Sequence, residues 1–129
     1  MKKLLFAMAF LLMAGLASAQ STLSFAYSVD DKGYTNSDNA KFSIREGNEI
    51  KMIVRNSNGF NTSQFQYKIY FMDADGNKTY STTFTQDITG NWITAWKGII
   101  PHAKGYYFIE VVNYSGTHVC EGIFYVSLY

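Results

Sequence analysis

One cysteine and one proline are all that 129 residues contain of either type. A lone Cys120 excludes an intramolecular disulfide, so the fold stands without staples. Cys120 reads either as a buried free thiol, acting as a small apolar side chain, or as a reactive or intermolecular cysteine. A cationic surplus is missing too: 11 basic residues face 10 acidic ones. This excludes the basic footprint of a nucleic-acid binder and the polybasic patch that grips anionic lipid. Past residue 20 there is no long apolar run, so nothing there reads as a membrane-spanning helix, which needs about 20 such residues. No G-x-S-x-G is present, internal repeats are absent, and no window has a convincing helical period.

The chain opens with Lys2 and Lys3, followed by an apolar run from Leu4 to Leu16 and by Ala17-Ser18-Ala19. A short positive start, a run too short to span a bilayer and a small-x-small site together read as a secretory signal peptide. Residues 1–19 are then the leader, and residues 20–129 are the mature domain, periplasmic or extracellular. No cysteine follows the cleavage site, so a lipid anchor is not expected. About 110 residues suffice for one two-layer core.

Aromatics are plentiful: 10 Phe, 10 Tyr and 2 Trp, of which only Phe6 and Phe10 lie in the leader. They are mixed with Thr, Ile and Val, the residues that suit a pleated, half-buried surface. Leu23, Phe25, Tyr27 and Val29 alternate with polar or small residues. So do Ile50, Met52 and Val54, and then Phe65, Tyr67, Ile69 and Phe71. Phe42 and Ile44 begin a further short strand. Asp73-Ala74-Asp75-Gly76-Asn77 supplies the positive φ that a hairpin turn needs. Tyr80, Thr82 and Phe84 return from it. Asn91 to Ile100 is irregular and holds both tryptophans. Tyr106 to Asn113 and His118 to Leu128 form a last hairpin, with Cys120, Gly122, Phe124, Val126 and Leu128 on one face. The pattern predicts an all-β domain: a single sandwich of seven to eight antiparallel strands, with a small barrel as the alternative. The expected core is Phe25, Ile44, Met52, Val54, Phe65, Tyr67, Ile69, Phe71, Tyr107, Ile109, Val111, Phe124 and Val126.

Within this pattern, Tyr67-Lys68-Ile69-Tyr70-Phe71 leads to Asp73-Ala74-Asp75-Gly76. Trp96-Lys97-Gly98 follows, and Gly105-Tyr106-Tyr107 opens another alternating run. The segment resembles the immunoglobulin-like modules of secreted and surface bacterial proteins, of the FlgD-type and fibronectin-III-like kinds. The resemblance implies an immunoglobulin-like β-sandwich and transfers no functional residue. The G-x-Y step also has a physical reading. Tyr107 covers the end of the core while its hydroxyl finds a backbone acceptor.

Candidate chemistry is sparse. His102 and His118 lack metal-like spacing, although alternation would put His118 on the side of Cys120. If Val111 pairs with Cys120, Glu110 lies opposite Glu121, as a carboxylate pair or as two solvated acids. Asp73-x-Asp75-Gly76-Asn77 fails the EF-hand pattern because its glycine comes fourth. The loop Asp30 to Asn39 is rich in oxygen ligands and reads either as a calcium loop or as a solvated one. No catalytic residue, metal site or cofactor is expected.

The aromatics offer more. Trp92 and Trp96, four apart, would share one side of an extended strand about 13 Å from each other. Alternatively either one fills the core, Trp96 above all. Tyr70 and Tyr106 fall on outer faces, and Tyr34 lies in a loop. Tyr34, Trp92, Tyr70 and Tyr106 are therefore the candidate ligand-binding residues. The expected function is a small exported, non-catalytic binding or structural module contacting another protein at the cell envelope. The alternative is a carbohydrate-binding module that stacks sugars on Trp and Tyr side chains.

Overall fold

A computed structural model describes residues 21–30, 40–89 and 91–129. Eight strands run in order: β1 (Thr22–Ala26), β2 (Lys41–Ile44), β3 (Ile50–Arg55), β4 (Gln64–Met72), β5 (Lys78–Asp87), β6 (Thr94–Ile99), β7 (Gly105–Asn113) and β8 (His118–Leu128). They form a three-stranded sheet, β1-β3-β6, and a five-stranded sheet, β2-β8-β7-β4-β5. The all-β sandwich is thus the observed class. The expected leader lies outside the described residues.

Alternation explains the layering. On β4, Phe65, Tyr67 and Ile69 are buried while Gln66 and Lys68 are not, because successive side chains point to opposite faces. Phe124 is the centre of the core. Its ring stacks on Tyr107 at 5.1 Å, meets Phe25 at 4.7 Å and approaches Phe42 at 5.8 Å. Gly122 makes room for this: a Cβ there would come within 2.8 Å of the Phe25 ring. The Tyr107 hydroxyl donates to the Ala103 carbonyl at 2.6 Å, as expected of a tyrosine closing the core's end. Between the layers, the Tyr67 hydroxyl donates to Gln86 Oε1 at 2.6 Å, and Gln86 Nε2 donates to the Trp96 carbonyl at 2.8 Å. Those bonds satisfy polar groups whose burial would otherwise be costly.

Four expectations are corrected. The strands are not all antiparallel: β2 pairs with β8 in parallel, from Lys41↔Tyr125 to Ile44↔Leu128. A returning hairpin gives antiparallel neighbours, whereas most of the chain lies between β2 and β8, which leaves room for the crossover that parallel pairing needs. Phe71 faces inward yet is 42% exposed, because the narrower sheet does not roof that end of β4. Its ring rests on Tyr107 at 5.2 Å. Trp96 does not fill the core. It lies across from Ile53 on the outer side of the three-stranded sheet, where Ile53 is fully buried. Trp92 and Trp96 do not share a strand either, since β6 begins only at Thr94.

Candidate functional site

The outer face of a sheet with one wet side should be polar. That of the five-stranded sheet is aromatic. Register places Tyr80, Tyr70, Phe108 and Ile123 in one row across β5, β4, β7 and β8. The next row holds Lys78, Met72, Tyr106 and Tyr125. Tyr80, Tyr106 and Ile123 are 56%, 43% and 44% exposed, whereas Phe108 beneath them is 7% exposed. Tyr70 therefore sits at the centre of a chain of rings, 5.7 Å from Tyr80 and 5.8 Å from Phe108, with Tyr106 and Tyr125 paired beside it at 4.9 Å. The Lys78 ammonium lies 3.8 Å from the centre of the Phe108 ring, in a cation–π contact.

Ring orientation decides what such a surface can recognise. The Tyr70–Tyr80 planes cross at 72°, Tyr70–Phe108 at 56° and Tyr106–Tyr125 at 61°. These are the tilted arrangements that aromatic quadrupoles favour. A sugar-stacking platform needs flat, co-facial rings instead. The Tyr side chains combine apolar rings with polar hydroxyl tips.

Of the residues expected to bind, the structure brings together Tyr70 and Tyr106. Trp92 stands apart, 46% exposed on the segment between β5 and β6. Its carbonyl accepts from Phe60 N–H at 3.2 Å, but the Phe60 ring turns away onto Phe65 at 4.8 Å. Seven extended residues separate Tyr80 from the end of β5, about 23 Å, so Trp92 is remote from the patch. Tyr34 lies outside the described residues, as does the loop 31–39 considered for calcium. Sequence reading missed Tyr80, Phe108, Tyr125 and Lys78. Tyr125 was legible, since it alternates with Phe124 and Val126. Tyr80 was not, because Ser81 forms a β-bulge between Ile69 and Tyr70 of the neighbouring strand.

A second bulge reshapes the other candidate cluster. Val111 pairs with Cys120 and Val112 with His118, so Val119 is the extra residue. His118 therefore leaves the face of Cys120, against the expectation from alternation. Glu110 does oppose Glu121, as expected. The imidazole sits at the two acids, with Nδ1 3.1 Å from Glu110 Oε2 and Nε2 3.7 Å from Glu121 Oε1. Each ring nitrogen faces a different carboxylate, so the three groups do not converge on one point. Among the described residues no group of three His, Cys, Asp or Glu is placed to hold a metal.

Cys120 is buried, as its bland reading requires. Burial, with a smaller contribution from Glu121, pushes its thiol up to about 12, far from a reactive thiolate. Where the wide sheet overhangs the narrow one, a groove of about 370 Å³ opens over Ile69, Phe71, Phe84, Ile99 and Tyr107, with His102 and Glu49 at its rim. No described helix is long and apolar enough to cross a membrane.

No protein-family model and no curated protein matches the chain. Among solved structures, the chain is similar to an immunoglobulin-like protein from Pseudomonas aeruginosa. The match has a TM-score of 0.56 and 14% identity, over 86% of this chain and 99% of that one. It is more loosely similar to the CARDB domain, in complex with di-metal ions, of a Pyrococcus furiosus protein. There the TM-score is 0.41 and the identity 13%, over 85% and 93% of the two chains. The Pseudomonas likeness establishes an immunoglobulin-like fold, the architecture expected from the Tyr67–Val112 motifs.

Proposed function

We propose that this chain is a small exported, non-catalytic module that binds another protein at the cell envelope through the outer aromatic face of its five-stranded sheet. The observation that carries this reading is the tilted cluster of Tyr70, Tyr80, Phe108, Tyr106 and Tyr125 on a face that water should have kept polar. Buried aromatic anchors with hydroxyl rims are what protein interfaces concentrate. The inter-ring angles weigh against the rival reading, a carbohydrate module. So does the isolation of Trp92.

The test has two arms. A photo-crosslinking residue in place of Tyr106 is expected to trap a protein in envelope extracts, while the same residue in place of Trp92 traps none. A glycan array, read with tryptophan fluorescence, is expected to stay blank. Strong glycan binding that disappears in Trp92→Ala, with folding intact, would reverse the order of the two readings. Export is checked by mass: the exported form is expected to begin at Gln20, and retention of residues 1–19 would remove that part of the reading.

A further inference from the structure

We propose that two copies of this chain join edge to edge through β5, in antiparallel pairing about a two-fold axis at Thr83. This association runs along the edge of that face, sharing Tyr80 and Lys78 with it, and stands whether or not the face binds a partner. The sandwich has four sheet edges, and they are not equally guarded. β1 and β2 run only five and four residues. β6 carries Lys97 on its inward side, in register with Met52, and its Trp96 carbonyl is capped by Gln86. Short length, inward charge and capped backbone groups are the devices that stop edges from pairing.

β5 has none of these. It is ten residues long, and between Lys78 and Asp87 it reads Thr-Tyr-Ser-Thr-Thr-Phe-Thr-Gln, without charge, glycine or proline. Its first five residues are exposed. One guarding device remains, the bulge at Ser81, and two-fold self-pairing accommodates it. With Ser81 set aside in both strands, Thr83 meets its own copy. Thr82 then meets Phe84, Tyr80 meets Thr85, Thr79 meets Gln86 and Lys78 meets Asp87.

Every one of these pairs joins residues from the same face, as an antiparallel ladder requires. In the folded chain Thr79, Thr82, Phe84 and Gln86 oppose the inward residues of β4, and Lys78, Tyr80, Thr83, Thr85 and Asp87 oppose the outward ones. The two end charges of the strand are opposite in sign, so the same register closes an ion pair at each end. A one-residue slip would lose both and put outward residues against inward ones. The partner is thus specified by the strand itself: a second copy, forming a ten-stranded sheet whose aromatic outer faces run together across the axis.

Sedimentation equilibrium of the folded chain at tens of micromolar is expected to give the mass of two copies. A single-copy mass across that range would overturn the proposal. Lys78→Glu and Asp87→Lys are each expected to weaken association roughly tenfold, because each reverses two symmetric cross-strand pairs. The double variant is expected to recover to within about threefold of the parent. Failure to recover would overturn this register.

An oxidative cross-link places the axis. Thr83→Cys is expected to form a disulfide-linked dimer, since directly opposed residues lie about 5 Å apart, whereas Thr85→Cys would be separated by about 13 Å and stay unlinked. The native thiol does not interfere, because Cys120 is buried. A dimer that links through residue 85 and not 83 would overturn the axis. Amide exchange of the unaltered chain needs no variant at all. Protection along β5 is expected to rise with protein concentration, and unchanged protection would count against pairing there.

Discussion

The two faces of the five-stranded sheet use the same kind of residue for opposite ends. Inside, Phe124, Tyr107, Phe65 and Tyr67 are buried against a second sheet, and Tyr107 stacks on Phe124 with planes only 6° apart. Outside, the rings of Tyr70, Tyr80, Tyr106 and Tyr125 meet each other and Phe108 at steep angles, and Tyr80 and Tyr106 remain about half exposed. The inner rings lower the free energy of folding because they leave water completely. The outer rings have made only part of that transfer and can complete it against a partner. Stability and recognition can therefore be separated by choosing a face.

The sharpest break in the comparison is Phe124→Ala. It removes a ring that touches three others and leaves a cavity between two sheets, so the expected cost is about 3–5 kcal/mol, read as a shift in urea midpoint. A cost below about 1 kcal/mol would mean that the interior is not packed as described.

Next in size is the polar tie between the layers. Gln86→Leu strands the buried Tyr67 hydroxyl and uncaps the Trp96 carbonyl, which Gln86 serves together. A loss of about 2 kcal/mol is expected from two orphaned groups. Tyr67→Phe in the Gln86→Leu background should recover part of it, because the orphan hydroxyl is then gone. No recovery would mean that water already serves that hydroxyl.

The outer face should behave in reverse. Tyr106 is 43% exposed, so Tyr106→Ala is expected to cost no more than about 1 kcal/mol in stability. If it anchors a partner, the same change should weaken capture at least tenfold, as truncating an interface anchor does. A variant that lost stability and kept its partner would erase the distinction between the faces.

These differences also show where the sequence was readable. Strict alternation made β4, β7 and the body of β8 legible, and with them most of the core and the outward placement of Tyr70 and Tyr106. The Glu110–Glu121 register was legible as well, since the β8 bulge falls beyond it. What alternation could not reveal is the residue that breaks it. Ser81 reverses the parity of half of β5, which hid Tyr80, and Val119 separated His118 from Cys120. β6 was obscured by its mixed composition: Lys97 points inward on an edge strand while Trp96 points out over Ile53. The parallel β2–β8 pairing is a property of the whole topology, and no local window carries it.

The smallest expected effect concerns the two hairpins at opposite ends of the same sheet. In the β4–β5 turn, Asp73 Oδ1 accepts from Asp75 N–H and Asn77 N–H, both at 2.9 Å. In the β7–β8 turn, Asn113 Oδ1 accepts from Ser115 N–H and Thr117 N–H, both at 3.0 Å. Gly76 and Gly116 both sit at φ 85°, a conformation glycine adopts without strain. The geometry is shared, but only the first turn can titrate. Hydrogen bonds to the charged form, first among them from the Asn77 backbone, hold Asp73 below its ordinary 3.8. A carboxyl lowered on folding stabilises the hairpin above its unfolded value, and that contribution fades as pH falls through the folded one. Followed by NMR in acid, the Asp75 and Asn77 amides are thus expected to titrate with a midpoint below 3.8, while the Ser115 and Thr117 amides stay level. Asp73→Asn should flatten the first pair and keep the turn, because an amide oxygen accepts the same two bonds. A midpoint at or above the ordinary value would show that the Asp73 carboxylate is not held by these amides in solution.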